Sequence, residues 1–163
     1  MHIVLKNKKI LFHKYRIKCA IGKSGIKSNK IEGDKATPRG TFRFKSIFFR
    51  KDRLPLIKTN LSKKPILKFM GWCDDAKSKY YNKIISFPFK DSAEKLYRKD
   101  NIYDIVLILN YNMNPIRKNK GSAIFLHLAS KRFKPTLGCV AVSKKDMRIL
   151  LQYINKKTKF TIV

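Results

Sequence analysis

The chain has 163 residues, 44% hydrophobic and 12% aromatic, which suits one domain with one core and excludes a disordered chain. It has 39 Lys and Arg against 10 Asp and Glu, and the net charge of +29 favours polyanionic partners: nucleic acid, anionic lipid or acidic wall polymers. An AT-rich genome would also enrich Lys, so a solvated basic surface is the plainer interpretation.

Alternation of apolar and polar residues predicts strands in the first third of the chain, over 2–5, 9–13, 15–21 and, in part, 40–49. Residues 27–40 are predicted to be a loop, because Gly33-Asp34 and Pro38 are turn signals. The first segment, "MHIVLKNKKILFHKYRIKC", lacks the apolar core of a secretory signal, because Lys and His interrupt its apolar residues. We interpret it as two short strands.

The middle of the chain is less regular. Residues 50–83 are polar and are predicted to lack regular structure, although they contain the segment "GWCDD". Asp91 or Ser92 is predicted to cap a short helix that ends at Lys99. Two short apolar runs, 103–109 and 122–129, predict buried strands.

The clearest local signal is a helix near the C-terminus. Ser143 and Asp146 match an N-cap with an acid three residues later. One apolar helix face follows, formed by Met147, Leu150, Leu151 and Ile154. The last five residues, "KFTIV", predict a strand. Many strands and few helices predict a β-rich α+β fold, with residues 1–163 as a single domain.

The three cysteines, Cys19, Cys73 and Cys139, form no CxxC pair and no Cys/His cluster, so no metal site is expected. We interpret Cys19 and Cys73 as packing residues. No apolar run approaches the roughly 18 residues that a membrane helix needs.

Cys139 is either a small hydrophobe in a buried strand or a nucleophile in a bend. A nucleophilic cysteine needs a base and oxyanion donors. His127 lies within an apolar strand, 12 residues before Cys139, and is the candidate base. Gly138 allows close backbone approach, and a histidinium neighbour would lower the thiol pKa. Spacing alone leaves open that both residues are ordinary core residues.

The segment "IFLHLASKRFKPTLGCVAVS" contains a histidine, a loop, Thr, one further residue and Gly-Cys. It resembles the catalytic segment of the L,D-transpeptidase (YkuD-type) family at His127, Thr136, Gly138 and Cys139. The segment "EGDKATPRGTFRF" at 32–44 resembles the family's Asp-x-x-Thr-Pro-x-Gly-x-Phe segment. The segments "GWCDD", "YYN", "EKLYRKDNIYDIVLILNYN" and "GSAIFLHLA" resemble a branch common in alpha- and betaproteobacteria.

The resemblance implies a mixed β-sheet or β-sandwich domain that acts as a cysteine acyltransferase without metal or cofactor. Cys139 would attack a peptide carbonyl in a peptidoglycan stem, and the thioester would pass to the diaminopimelate amine of a neighbouring stem. His127 would act as base and then as acid. The Gly138 and Cys139 amides, with Thr136 nearby, would form the oxyanion site. Both 3,3 and 1,3 cross-links stay open, and carbapenems are expected to label the cysteine.

Further residues are candidates for substrate binding, the carboxylates for an ammonium group and the arginine for a stem carboxylate. Turns, a half-buried Trp and an ordinary ion pair are the structural alternatives. The candidates are Trp72, Asp74, Asp75, Tyr81, Asn82, Arg98, Asp104, Asn110 and Tyr111.

Two other functions remain open. If water resolves the acyl-enzyme, the protein is an L,D-carboxypeptidase or peptidase. If the fold is inactive, it is a basic module that binds polyanions, although no nucleic-acid motif or cluster of exposed aromatics is present. The basic charge could also hold an enzyme to anionic wall or membrane polymers. The substrate predicts a periplasmic or envelope location, whereas the absence of a visible signal leaves a cytoplasmic one open.

Overall fold

The computed structural model describes all 163 residues as fourteen strands and one helix. In chain order the elements are β1 (His2–Lys6), β2 (Lys9–Phe12), β3 (Tyr15–Ala20), β4 (Ile26–Lys27), β5 (Thr37–Pro38), β6 (Gly40–Phe49), β7 (Lys63–Pro65), β8 (Met70–Cys73), β9 (Ile84–Ser86), β10 (Ala93–Lys95), β11 (Ile105–Leu109), β12 (Phe125–Leu128), β13 (Val140–Val142), α1 (Lys144–Tyr153) and β14 (Lys159–Ile162). No helix is long and apolar enough to cross a bilayer.

Eight strands pair in a closed cycle, in the order β11-β12-β13-β3-β2-β1-β14-β6 and back to β11. The cycle closes because β6 pairs with β14 through its first residues, 40–43, and with β11 through 44–49. We call β3-β2-β1-β14-β6 the first sheet and β6-β11-β12-β13-β3 the second sheet. They share β3 and β6, and β7 adds a parallel strand beside β6.

The core inside the cycle follows from strict alternation along the strands. In β11, Leu107 and its odd-numbered neighbours point inward, and Leu126 and Leu128 do so in β12. The apolar face of α1 joins the same core through Met147 and Leu150. The even-numbered side chains of β11 therefore point out of the cycle.

A second core covers the outer face of the second sheet. Its inner members include Val106 of β11 and Phe125 of β12, and it is completed by Trp72 of β8. β8 is the centre of a separate three-stranded sheet, in the order β10-β8-β9. This small sheet and the loops around it lie over the second sheet, and we call residues 50–104 the cover.

Most predicted elements are confirmed. The four early strands correspond to β1, β2, β3 and β6, the two apolar runs contain β11 and β12, and the terminal strand is β14. The predicted helix is α1, and the Ser143 side chain accepts from the Asp146 amide at 3.0 Å as its N-cap. Ile154 is the C-cap residue. Cys19 and Cys73 are buried, as packing residues should be.

Three predictions were wrong. The segment after Asp91 is not a helix: it forms β10, where Glu94 pairs with Trp72 of β8, because strand pairing outweighs the weak propensity of a short helix. Residues 50–83 are not irregular throughout, since they contain β7 and β8. The loop at 27–40 contains a parallel pair, β4 with β5.

Candidate active site

Cys139 and His127 lie on the same outer face of the second sheet. β12 and β13 are parallel, with His127 opposite Ala141 and Leu126 opposite Val140. Alternation along both strands therefore directs the side chains of Cys139 and His127 toward the cover, away from the main core. The Phe125 amide lies 3.4 Å from Cys139 Sγ, which places the thiol beside the start of β12.

The bend before Cys139 requires glycine at position 138. Gly138 has φ +137°, and a Cβ there would lie 2.9 Å from the carbonyl oxygen of Ala36. Thr37 holds this close approach, because its hydroxyl donates to the Gly138 carbonyl at 2.8 Å and accepts from the Gly22 amide at 2.8 Å. The segment 32–44 therefore positions the Gly-Cys bend.

Asp34 organises the loop that carries Thr37. Its carboxylate accepts from the amides of Ile31 at 3.0 Å and Ala36 at 2.9 Å, and from the Lys30 ammonium at 2.6 Å. The Lys30 side chain is buried, and the hydrogen bonds to Asp34 lower the pKa of its carboxyl group against the opposing effect of burial. Asp34 thus stabilises the loop and keeps a lysine near Gly138.

The amide at the predicted oxyanion site is that of Cys139. The Thr136 hydroxyl donates to the Cys139 carbonyl at 2.5 Å and accepts from the Gly138 amide at 3.1 Å. The Gly138 amide is therefore already engaged, contrary to the expectation that it faces an oxyanion. The Cys139 amide has no acceptor within the protein.

His127 is held in one tautomer. Its Nδ1 lies 2.9 Å from the Leu128 carbonyl oxygen, and because a carbonyl only accepts, Nδ1 carries the proton. Nε2 therefore has a free lone pair. The ring is packed edge-on against Tyr103, with centroids 5.2 Å apart, and it lines the cavity described below.

The thiol and the imidazole are both neutral, and no hydrogen bond joins them. Burial raises the pKa of Cys139 to about 12, and the Glu94 charge adds to the increase. Burial lowers the pKa of His127 to about 4, and the Arg98 charge adds to the decrease. The expectation that a histidinium lowers the thiol pKa is therefore wrong.

A cavity of about 570 Å³ opens over the two residues. Carboxylates and cations both line it, on elements of the cover and on the loops before β5 and β13. Among these acids, Glu94 has a charge that acts on Cys139, and its carboxylate accepts from the Tyr103 hydroxyl at 2.6 Å. The charged lining residues are Glu32, Asp74, Glu94, Lys30, Lys35, Arg98 and Lys134.

Three of the nine candidate binding residues line this cavity: Trp72, Asp74 and Arg98. Asp74 accepts from the Ser92 hydroxyl at 2.6 Å. Arg98 forms an ion pair with Asp100 at 2.6 Å, and its guanidinium stands over the Tyr103 ring. Arg98 is thus an ion-pair residue that also faces the cavity.

Two further candidates support the cavity from behind. Asn82 accepts from the Trp72 indole at 3.0 Å and donates to the Asn112 carbonyl at 2.6 Å, which fixes the Trp72 ring. The Tyr81 hydroxyl donates to Glu32, a lining residue, at 2.5 Å. Both are buried, so the prediction that they line the cleft was wrong.

The remaining four candidates lie outside the cavity and have structural partners. Asp75 accepts from a turn amide at 2.8 Å, and the buried Asp104 forms an ion pair with the partly exposed Arg53 at 2.8 Å. Asn110 accepts an amide of β6 at 2.8 Å, and the Tyr111 hydroxyl donates to a loop carbonyl. They do not line the cavity, and their polar atoms complete turns and strand ends, so their contact with substrate stays a prediction.

Sequence reasoning missed Glu94, Tyr103 and Lys30. The sequence predicts a helix through Glu94; in an extended segment Glu94 shares a face with the buried Leu96, two residues later, and that spacing is the signal that directs it inward. Lys30 carried no signal, because it is one of many lysines. No group of three or more His, Cys, Asp or Glu residues could hold a metal ion.

Comparison with known families agrees with this geometry. The YkuD family, described as the L,D-transpeptidase catalytic domain, matches residues 1–162. No curated protein and no solved structure matches the chain. The match covers all but the last residue, and it includes the bend at Gly138-Cys139 and the loop that holds it. The chain therefore belongs to the L,D-transpeptidase (YkuD-type) catalytic-domain family.

Proposed function

We propose that the protein is a peptidoglycan L,D-transpeptidase that joins stem peptides through an acyl-enzyme on Cys139. The observation that carries the proposal is the shared position of the Cys139 thiol and His127 on one face of the second sheet, open to one cavity. The free lone pair of His127 Nε2 and the unpaired Cys139 amide supply the base and the oxyanion donor that acyl transfer needs.

In the first half-reaction, Sγ bonds to the carbonyl carbon of the donor stem while His127 Nε2 takes the thiol proton. The Cys139 amide stabilises the oxyanion of the tetrahedral intermediate. The C–N bond then breaks, and the imidazolium returns the proton to the departing amine. The thioester that remains on Cys139 preserves the energy of the cleaved peptide bond.

In the second half-reaction, the acceptor amine attacks the thioester carbon and His127 takes its proton. The C–S bond breaks, a new amide forms, and the proton returns to sulfur. The acceptor is the side-chain amine of diaminopimelate on a neighbouring stem, and the cross-link is of the 3,3 or the 1,3 type. Water as the acceptor would make the same site a carboxypeptidase or peptidase.

The resting pKa values favour a mechanism in which substrate binding activates the thiol. A thiol with a pKa of about 12 is almost wholly protonated at neutral pH, so the resting site holds no preformed thiolate–imidazolium pair. Stem peptides bring ammonium groups, and Glu94 and Asp74 are carboxylates on the cavity wall. An ammonium near Glu94 would offset the negative charge that helps to raise the thiol pKa.

The test is intact-protein mass spectrometry with a carbapenem and then with purified muropeptides. Wild type is expected to gain one adduct, and Cys139→Ala to gain none while it keeps its fold by circular dichroism. Cys73→Ala is the matched control, because Cys73 is fully buried outside the cavity and its loss should leave the adduct in place. An adduct on the folded Cys139→Ala variant would overturn the proposal.

Product analysis separates the alternatives at the same site. With donor and acceptor stems present, a transpeptidase yields a cross-linked dimer, and tandem mass spectrometry reports a 3,3 or 1,3 bond. A hydrolase yields a shortened stem whether or not the acceptor is present. If a folded protein forms neither product, the function as a basic module that binds polyanions becomes the favoured one.

The substrate also implies where the protein acts. We propose that it works in the periplasm or elsewhere in the envelope, where cross-linked stems lie. Fractionation of cells that express the gene from its native start, with detection by antibody, tests this proposal. Recovery of the protein only in the cytosolic fraction would indicate that its substrates are peptidoglycan precursors or recycled fragments.

A further inference from the structure

The outer face of the first sheet carries basic side chains and no acid. In each of its strands, one set of alternate side chains enters the main core and the other faces outward. No Asp or Glu occurs in any of the five strands. We call the exposed outward cations the basic face: Lys6, Lys9, Arg16, Lys18, Arg43 and Lys159.

The strand registers place several of these cations directly opposite one another. Lys9 of β2 pairs with Lys18 of β3 on one side and with Lys6 of β1 on the other. Lys159 of β14 pairs with Arg43 of β6. Like charges at directly opposite positions destabilise an antiparallel pair, and none of the five residues has an acidic partner.

A genome bias toward Lys does not account for this arrangement. Such a bias sets the number of lysines, but it does not decide where the acids lie. Seven of the ten acids fall in the cover, residues 50–104, and three of the four ion pairs lie there. The fold therefore places most of the acids in the cover and leaves the basic face without any.

The shape and composition of the basic face indicate the partner. Its cations spread over five strands, about 19 Å across at the usual strand spacing, rather than along one track. Most outward residues between them are small or aliphatic, such as Val4 and Leu11. Two aromatic rings adjoin the face, and both are engaged: His2 bonds Thr161, and Phe133 lies under the Lys18 ammonium, so no row of free rings offers a stacking platform for bases. A bilayer surface presents negative headgroups in two dimensions, which complements cations that are spread across several strands.

We propose that the basic face docks the protein on an anionic lipid bilayer. The face lies outside the first sheet, whereas Cys139 and His127 lie outside the second sheet. Docking in this way leaves the active-site cavity open and directs it away from the lipid. The proposal does not depend on the reaction at Cys139, so an acylation assay without lipid would still report on that reaction separately.

The test compares two triple variants of equal net charge in vesicle sedimentation. One variant, Lys6→Gln/Lys9→Gln/Lys159→Gln, lowers the charge of the basic face. The matched control, Lys64→Gln/Lys68→Gln/Lys77→Gln, removes three exposed lysines elsewhere. The vesicles contain phosphatidylglycerol in phosphatidylcholine, and phosphatidylcholine alone is the neutral lipid.

Wild type is expected to bind the anionic vesicles and not the neutral ones, and its affinity should fall as salt is added. The face variant should bind about a hundredfold more weakly, since each basic residue near an anionic bilayer contributes about fivefold, and the control should bind nearly as wild type does. The thermal midpoint of the face variant should equal or exceed that of wild type, because the substitutions remove like-charge pairs.

Three results would overturn the proposal. The first is that wild type fails to sediment with phosphatidylglycerol vesicles. An equal loss in both triple variants would show an effect of net charge and not of this face. Tighter binding to linear polyphosphate than to the vesicles at the same salt would assign the face to a linear polyanion.

Discussion

The two outer faces of the strand cycle start from the same alternating pattern and end in different environments. The face of the second sheet lies under the cover, where the pKa values of Cys139 and His127 move to about 12 and about 4. The face of the first sheet has no such cover, and lysines such as Lys9 stand exposed on it. The proposed chemistry uses the covered face, because burial there shifts ionisation and excludes water.

The largest expected difference between the two faces comes from replacing one histidine on each of them with glutamine. His127→Gln should lower the rate of acylation about 10²- to 10⁴-fold, since it removes the base that accepts the thiol proton. His2→Gln, on the open face beside Thr161, should leave the rate unchanged. Time-resolved intact mass with a carbapenem measures both rates. Equal rates in the two variants would remove His127 from the mechanism.

Glycines test how tightly the covered site is built. Gly138→Ala places a Cβ 2.9 Å from the Ala36 carbonyl at φ +137°, so we expect a loss of at least about 1–3 kcal/mol in the free energy of unfolding and loss of acylation. Gly25→Ala is the control, because Gly25 has φ +74° but no atom within 4 Å of the added carbon. Urea denaturation should rank Gly138→Ala as the more damaging, and the reverse order would contradict the close contact.

The same contrast explains which parts of the molecule the sequence predicts. Strands such as β1 and β2 and the capped helix α1 follow from local alternation and capping, which a short window of sequence contains. The motif around His127 and Cys139 was recognisable because its spacing is itself local. Glu94 was not, because its strand exists only through pairing with β8, more than twenty residues away.

The covered site should also have an unusual pH profile. Because burial lowers the pKa of His127 from 6.5 to about 4, the base stays neutral at mildly acidic pH. Acylation should therefore persist as pH falls below 6.5 and disappear only as pH falls through about 4. Initial rates measured across this range, with circular dichroism to monitor the fold, test the expectation. If the acylation rate instead falls as pH passes through about 6.5, the imidazole is solvated when it acts as a base.

The smallest expected effect concerns the charge beside the thiol. Burial dominates the raised pKa of Cys139 and the Glu94 carboxylate adds to it, so Glu94→Gln should lower that pKa and increase alkylation by iodoacetamide about threefold at neutral pH. The amide keeps an oxygen that can accept from Tyr103. Asp75→Asn, outside the cavity, should leave the alkylation rate unchanged.

If the Glu94 carboxylate also binds the stem ammonium, the same Glu94→Gln variant should require a higher muropeptide concentration for half-maximal rate. Faster alkylation without that change would limit the role of Glu94 to the thiol.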